Sequence, residues 1–251
     1  MKFTTCTVLS ALVVSTLLLS CARAESEDSG ITLEATRVVY PATSTRGISF
    51  RLTNNTNTPW LMQSRVWKWG EKTATAGTAD SPFVVFPPLH RLSQGETLTL
   101  KIQLMRNQLP QDRESVFVLA LKAIPAQPEL EATPEGPSQA RLHLATQNQM
   151  KLFYRPDTLP AYDAEEVADR LRFQIEEKGL RVENPTPFYV TFASLRVGGL
   201  PLEEKALIDM IPPQGERHYP LPAGRHGDVT WQLVNDYSRT TTEKTRAVTG
   251  L

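Results

Sequence analysis

Two cations stand in stretches that are otherwise strand-like and apolar: Arg37 between Thr36 and Val38, and Lys151 between Met150 and Leu152. A charge among such neighbours is costly unless it reaches water or meets an anion. Each therefore has two readings, a charge that guards an open sheet edge against pairing or a binding point for an anionic group. Arg155 is a third such cation, and Glu114 or Asp236 can serve as its counterion. Periodicity does not decide which carboxylate it takes.

Enzyme chemistry finds little to work with. His90, His143, His218 and His226 show no paired metal-ligand spacing and no carboxylates clustered around them. The chain has no Gly-x-Ser-x-Gly elbow and no phosphate-cradling glycine loop. Asp112 and Glu114 flank Arg113 and read better as solvated charges than as an acid–base pair. Asn54-Asn55-Thr56 spells a glycosylation triplet, a pattern that arises cheaply by chance. The expectation is a protein that is not an enzyme and needs no metal or cofactor.

The element that must place Lys151 is the run 140–156, ARLHLATQNQMKLFYRP, in which large apolar and polar residues alternate. A period of two puts one set of side chains on one face of a strand. At about 3.3 Å per residue the run spans about 50 Å, long for a soluble strand. It is either a covered core strand or an edge open to a partner. Ahead of it lie short alternating runs at 31–33, 36–40, 47–52, 60–69, 83–86, 97–104 and 115–123, each closed by turn residues. Runs of this length read as an antiparallel sandwich. Residues 125–139 are Pro-rich and acidic, a connector. Arg155-Pro156 closes the first unit, since proline cannot extend a ladder.

After it, 164–168 reads as a short helical turn and 177–179 as the tip of a hairpin. Residues 188–197, 206–211 and 229–234 read as further strands, and 238–250 as a polar, unpatterned tail. No internal repeat of the solenoid kind is visible. The expected fold is all-β, two immunoglobulin-like sandwiches over 25–155 and 156–251, the second the smaller.

The chain has 251 residues, 19 of them Pro, and Lys plus Arg equals Asp plus Glu at 27 each. Such a balance gives no electrostatic reason to expect nucleic acid or an anionic membrane as partner. Residues 1–24 read as a secretory signal, with one lysine, an apolar run from 8 to 19 and Ala22-Arg23-Ala24 as the cleavage site. That run is too short to span a membrane, so no membrane insertion is expected. Leu18-Leu19-Ser20-Cys21 offers a lipoprotein site as the alternative. Cleavage after Ala24 removes Lys2, Arg23 and both cysteines, Cys6 and Cys21, and leaves 25 basic against 27 acidic residues. The mature chain is then stabilised by core burial without a disulfide.

Five segments, in order, resemble the periplasmic chaperones of the chaperone–usher pilus pathway: Thr36-Arg37-Val38-Val39-Tyr40, residues 109–117 (LPQDRESVF), residues 151–156 (KLFYRP), residues 183–190 (ENPTPFYV) and Asn235-Asp236-Tyr237. The resemblance implies two immunoglobulin-like sandwiches set at an angle, with a cleft between them. It implies that Arg37 and Lys151 bind the C-terminal carboxylate of a pilin or fimbrial subunit, and that Leu142, Leu144 and Thr146 form a strand donated to that subunit. Glu114, Arg155 and Asp236 match the family's buried charge set, which orients the two domains. It further implies an outer-membrane usher as second partner and a periplasmic location, and leaves self-association of the unloaded protein open.

Three departures stand out: Thr146 where a third large apolar residue is usual, Ala120 where Asn is common, and a connector longer than in the short-loop subclass. Leu142, Leu144 and Thr146 have one parity and Lys151 the other, so a bend or twist near 147–149 is expected to reconcile them. The rival readings are a secreted two-domain adhesin or structural pilus component, and a periplasmic hydrolase.

Overall fold

The computed structural model describes residues 30–70, 81–126, 144–177 and 179–248. The leader 1–24 and Leu142 lie outside them.

The first half supplies β1 (Ile31–Leu33), β2 (Arg37–Pro41), β3 (Ile48–Asn54), β4 (Trp60–Lys68), β5 (Phe83–Phe86), β6 (Leu89–Leu92), β7 (Thr97–Leu104), β8 (Ser115–Pro125) and β9 (Thr146–Arg155). One sheet runs β1-β3-β7-β5 and the facing one β2-β9-β8-β4-β6. Period-two patterning sets what lies between them. Phe50 and Leu52 of β3 and Leu98, Leu100 and Ile102 of β7 face Val66 of β4, Leu119 and Leu121 of β8, and Met150, Leu152 and Tyr154 of β9. Phe83 makes edge contacts with Tyr40 and Phe117, both at 5.1 Å between ring centres.

The second half holds helix α1 (Ala164–Arg170), β10 (Arg172–Glu176), β11 (Gly179–Asn184), β12 (Phe192–Val197), β13 (Leu200–Pro201), a short helix α2 (Glu204–Leu207), β14 (Gly215–Pro220), β15 (Val229–Leu233) and β16 (Lys244–Arg246). Sheets β10-β11-β14 and β13-β12-β15-β16 enclose a separate core around Leu171, Leu180, Val182, Tyr219 and Trp231. The architecture is all-β, two sandwiches of which the second is smaller. The hairpin about residues 177–179 is present, and Gly179 is required there, because a Cβ would run into the Tyr219 carbonyl.

Two of the expected segments differ. Residues 206–211 read as a strand, yet residues 206–207 close α2, and of the rest Ile211 makes an isolated antiparallel bridge with Val190. A single helical turn is too short to show a 3.6-residue period, so the apolar residues around it read as a strand. The tail was expected to be unpatterned, yet it carries β16, which pairs with β15 through Lys244, Thr245 and Arg246. These residues hold position by ion pairs of Lys244 with Glu165 and Asp169 rather than by apolar burial. The sequence reading also passed over β6, β13 and β14.

Both sandwiches turn a corner with the same device. Asn54, at the end of β3, is fully buried; its amide donates to the Thr58 and Ser93 carbonyls and its Oδ1 accepts from the Thr56 backbone and hydroxyl. Asn184, at the end of β11, donates to the Phe188 and Pro212 carbonyls and accepts from Thr186 in the same way. The apparent glycosylation triplet at Asn54 is therefore a structural corner. Asn184→Ala should cost about 2–3 kcal/mol by stranding buried donors and acceptors, and Asn184→Asp more, since a carboxylate has no N–H for the Phe188 and Pro212 carbonyls and buries a charge against them. Chemical denaturation of the three proteins checks that order.

Candidate functional site

β9 is central to the site and only half paired. Its bonds to β8 run without a register shift from Thr146 opposite Ala123 to Tyr154 opposite Ser115. On its other side β2 pairs with it in parallel, but only from Arg37 opposite Lys151 to Pro41 opposite Arg155. Among the described residues no strand pairs with the β2 side of residues 146–150. Thr146 is exposed there, and Leu144, just ahead of the strand, is 67% exposed.

The unbroken register removes the expected bend. Met150, Leu152 and Tyr154 enter the first core, whereas Lys151 and Phe153 face the second sandwich. Thr146 shares the core-facing parity, so Thr146 and the lysine belong to opposite faces of one regular strand. No bend is needed, because a strand laid alongside can meet side chains on one face and place its end group on the other.

Arg37 and Lys151 are neighbours across the β2–β9 pair. Arg37 donates to the Val234 carbonyl at 3.0 Å, while its Nε is buried with no hydrogen-bond partner among the described residues. Its guanidinium lies 5.8 Å from the Phe153 ring centre. The Lys151 ammonium makes two long contacts, 3.4 Å to Thr191 Oγ1 and 3.5 Å to the Ile208 carbonyl. Burial, and then the nearby Arg37 charge, pushes Lys151 down to about 8; burial also lowers Arg37. No salt bridge among the described residues reaches either. Two like charges, adjacent and partly dried, repel each other, and a single anion placed between them can neutralise both.

Arg155 takes both of its candidate counterions. Its Nε donates to Glu114 Oε1 at 2.7 Å, and its two terminal nitrogens fork onto Asp236 at 2.7 and 3.1 Å. Glu114 is 3% exposed and also accepts from the Tyr189 backbone amide at 2.8 Å. Burial pushes its carboxyl up against the pull of Arg155 and that amide. The expectation that Glu114 is solvated beside Arg113 is overturned, since the second sandwich covers it; Asp112 alone pairs with Arg113 at the surface. Tyr162 and Phe188 lie under the guanidinium at 4.4 and 5.3 Å. The set ties the end of β8 and of β9 to the turn after β15.

Sequence reasoning missed the apolar partner of this joint, in which Val116 and Phe153 of the first sandwich meet Met210 of the second, with Val39 and Tyr189 packed against them. Alternation marked Val116 and Phe153 as facing away from the first core, and that was the available signal. It also missed Trp69, whose ring centre is 5.5 Å from the Lys151 ammonium. Two of the four histidines do have carboxylate neighbours: His90 meets Glu96 at 2.7 Å, and His218 lies 3.4 Å from Glu176 and from Glu216, while His143 lies outside the described residues. These are surface pairs, and no group that could hold a metal occurs among the described residues.

Comparison with known proteins agrees with this geometry. Residues 30–160 match the family model of the pili and flagellar-assembly chaperone, PapD N-terminal domain, and residues 166–245 that of the pili assembly chaperone PapD, C-terminal domain. The chaperone protein FimC of Escherichia coli O6:H1 is 35% identical over 240 residues, 95% of this chain and 91% of FimC. Among solved structures, the E. coli chaperone DraB superposes with a TM-score of 0.74 at 32% identity, covering 88% of this chain and 97% of DraB. A chain of the Salmonella enterica complex of SafA pilin with the SafB chaperone gives 0.73 at 32% identity, covering 87% and 96%.

Proposed function

The chain belongs to the pilus-assembly chaperones of the PapD family, and from that premise we propose that it caps pilin subunits with β9 and seats their C-terminal carboxylate between Arg37 and Lys151. Donor-strand complementation is a known form of strand addition, in which main-chain bonds give affinity and alternate side chains give fit. The observation that carries the assignment is the edge of residues 146–150, which no described strand covers and which ends at two adjacent cations with no salt bridge among the described residues.

The direction of the guest strand follows. A strand lying in line with β2 and ending in its carboxylate where β2 begins runs the same way as β2. It is therefore parallel to β9. Leu142, Leu144 and Thr146 then enter the subunit's groove, each leucine contributing about 1.5–3 kcal/mol. Lys151 and Arg37 fix the register, since a slip of one residue would turn every apolar side chain outward. Threonine at 146 makes the third position shallow. Glu114, Arg155 and Asp236 hold the two domains, divided between Arg155 and Pro156, in the orientation that forms the seat.

The chaperone is periplasmic, with cleavage of its leader after Ala24. It passes its subunit to an outer-membrane usher.

Leu144→Glu tests the donor strand. Leu144 is exposed in the unloaded protein, so the variant should fold as wild type while losing the leucine's contribution and placing a charge in the groove. Recovery of co-expressed pilin should fall at least tenfold. Equal recovery, with the pilin seated elsewhere, would remove β9 from the account.

A further inference from the structure

Trp69 has no part in the strand or in the charge set. It follows β4 at the mouth of the cleft with 38% of its surface exposed, and its ring centre is 5.5 Å from the Lys151 ammonium. The other contacts of that ammonium are long and uncharged. Two charged groups act on it: Arg37 of β2 repels it, and Asp209, after α2, attracts it. Asp209 is itself engaged by Arg217 of β14.

We propose that Trp69 is a positioning residue for the carboxylate anchor, its ring face holding the Lys151 ammonium charged and in place in the unloaded chaperone. This rests on reading Lys151 as half of that anchor. The negative face of an indole favours a cation over the neutral amine. Without the ring, burial and Arg37 are opposed by Asp209 and the two long contacts to Thr191 and Ile208, and the ammonium gives up its proton at lower pH.

The consequence for binding depends on pH. Well below the lysine's midpoint every variant is charged, and Trp69→Ala should bind a subunit as well as wild type does. Above it, the variant must take up a proton that the ring no longer helps to hold. Its affinity should then fall about two- to fivefold below wild type, the range of an exposed cation–π contact. A ring that instead touched the subunit would weaken binding equally at every pH.

The test uses the mature protein with carbon-13 in its lysine side chains. The Lys151 resonance is identified by its disappearance in Lys151→Arg. Its titration midpoint should drop by about 0.3–0.7 pH unit in Trp69→Ala and by less in Trp69→Phe. Affinity for a co-purified pilin, measured at about pH 6 and about pH 9, should separate wild type from Trp69→Ala only at the higher value. An unchanged midpoint, or an equal loss at both values, would overturn the proposal. If the midpoint shifts but Lys151→Ala still captures pilin, the anchor itself fails, and the positioning role fails with it.

Discussion

Lys151→Ala is expected to raise the thermal midpoint of the unloaded chaperone and to abolish pilin capture in the same protein. Burial and the Arg37 charge bring the lysine from its ordinary 10.5 to about 8. Between those two values the unfolded chain binds the proton more tightly than the folded one, so stability rises with pH there. Below about pH 8 the folded protein carries the full penalty of a charged lysine, and alanine removes it. The midpoint should rise by about 2–4 °C for each kcal/mol relieved, less what the lost stem packing costs. Toward pH 10.5 the two proteins should converge.

Capture moves the other way. With a carboxylate in the cleft, loss of one cation leaves a partly buried charge short of its partner, a cost of about 3–5 kcal/mol. That is two to three orders of magnitude in Kd. Arg37→Ala should lose capture to a similar degree, but not gain stability, because it also gives up the bond to Val234 of the other sandwich. Thermal melts and pilin pull-down on the two variants check the contrast. A destabilised Lys151→Ala that still captures pilin would end the anchor reading.

Much of this was visible in residue types, and the rest for definable reasons was not. Arg37 and Lys151 declared themselves as charges inside apolar runs, but their adjacency depends on a parallel pairing between residues 114 positions apart, which no local pattern encodes. The resemblance supplied their joint role. Glu114 looked solvated because its neighbours Asp112 and Arg113 are; it is buried only because the Tyr189 segment closes over it. β14 stayed hidden because its side chains are mostly polar, with Tyr219 its one fully buried residue. The parity difference between Thr146 and Lys151 was read correctly and explained wrongly. A two-faced strand in regular register needs no distortion to serve a groove on one side and a cleft on the other.

Arg155→Ala should be the most destabilising of these substitutions. The guanidinium is the shared donor of two carboxylates from different sandwiches, Glu114 and Asp236, and it lies on Tyr162 and Phe188. Without it Glu114 keeps only the Tyr189 amide in a site that already disfavours its charge. Breaking such a set costs about 3–5 kcal/mol, a fall in midpoint on the order of 10 °C for a chain of this size. Arg155→Lys should rescue little, since one ammonium cannot fork onto both acids or stack as a plane. Glu114→Gln should be milder, because its carbonyl can still accept from Tyr189 while the buried charge is gone. The readout beyond stability is geometry. With the joint cut, small-angle scattering should report a wider spread of angles between the sandwiches, and pilin capture should fall although Arg37 and Lys151 are untouched, because their seat draws on Thr191, Ile208 and Val234 from the other side. A variant that melts and scatters like wild type would mean that the apolar contact of Val116 and Phe153 with Met210, rather than the ion set, holds the two halves in place.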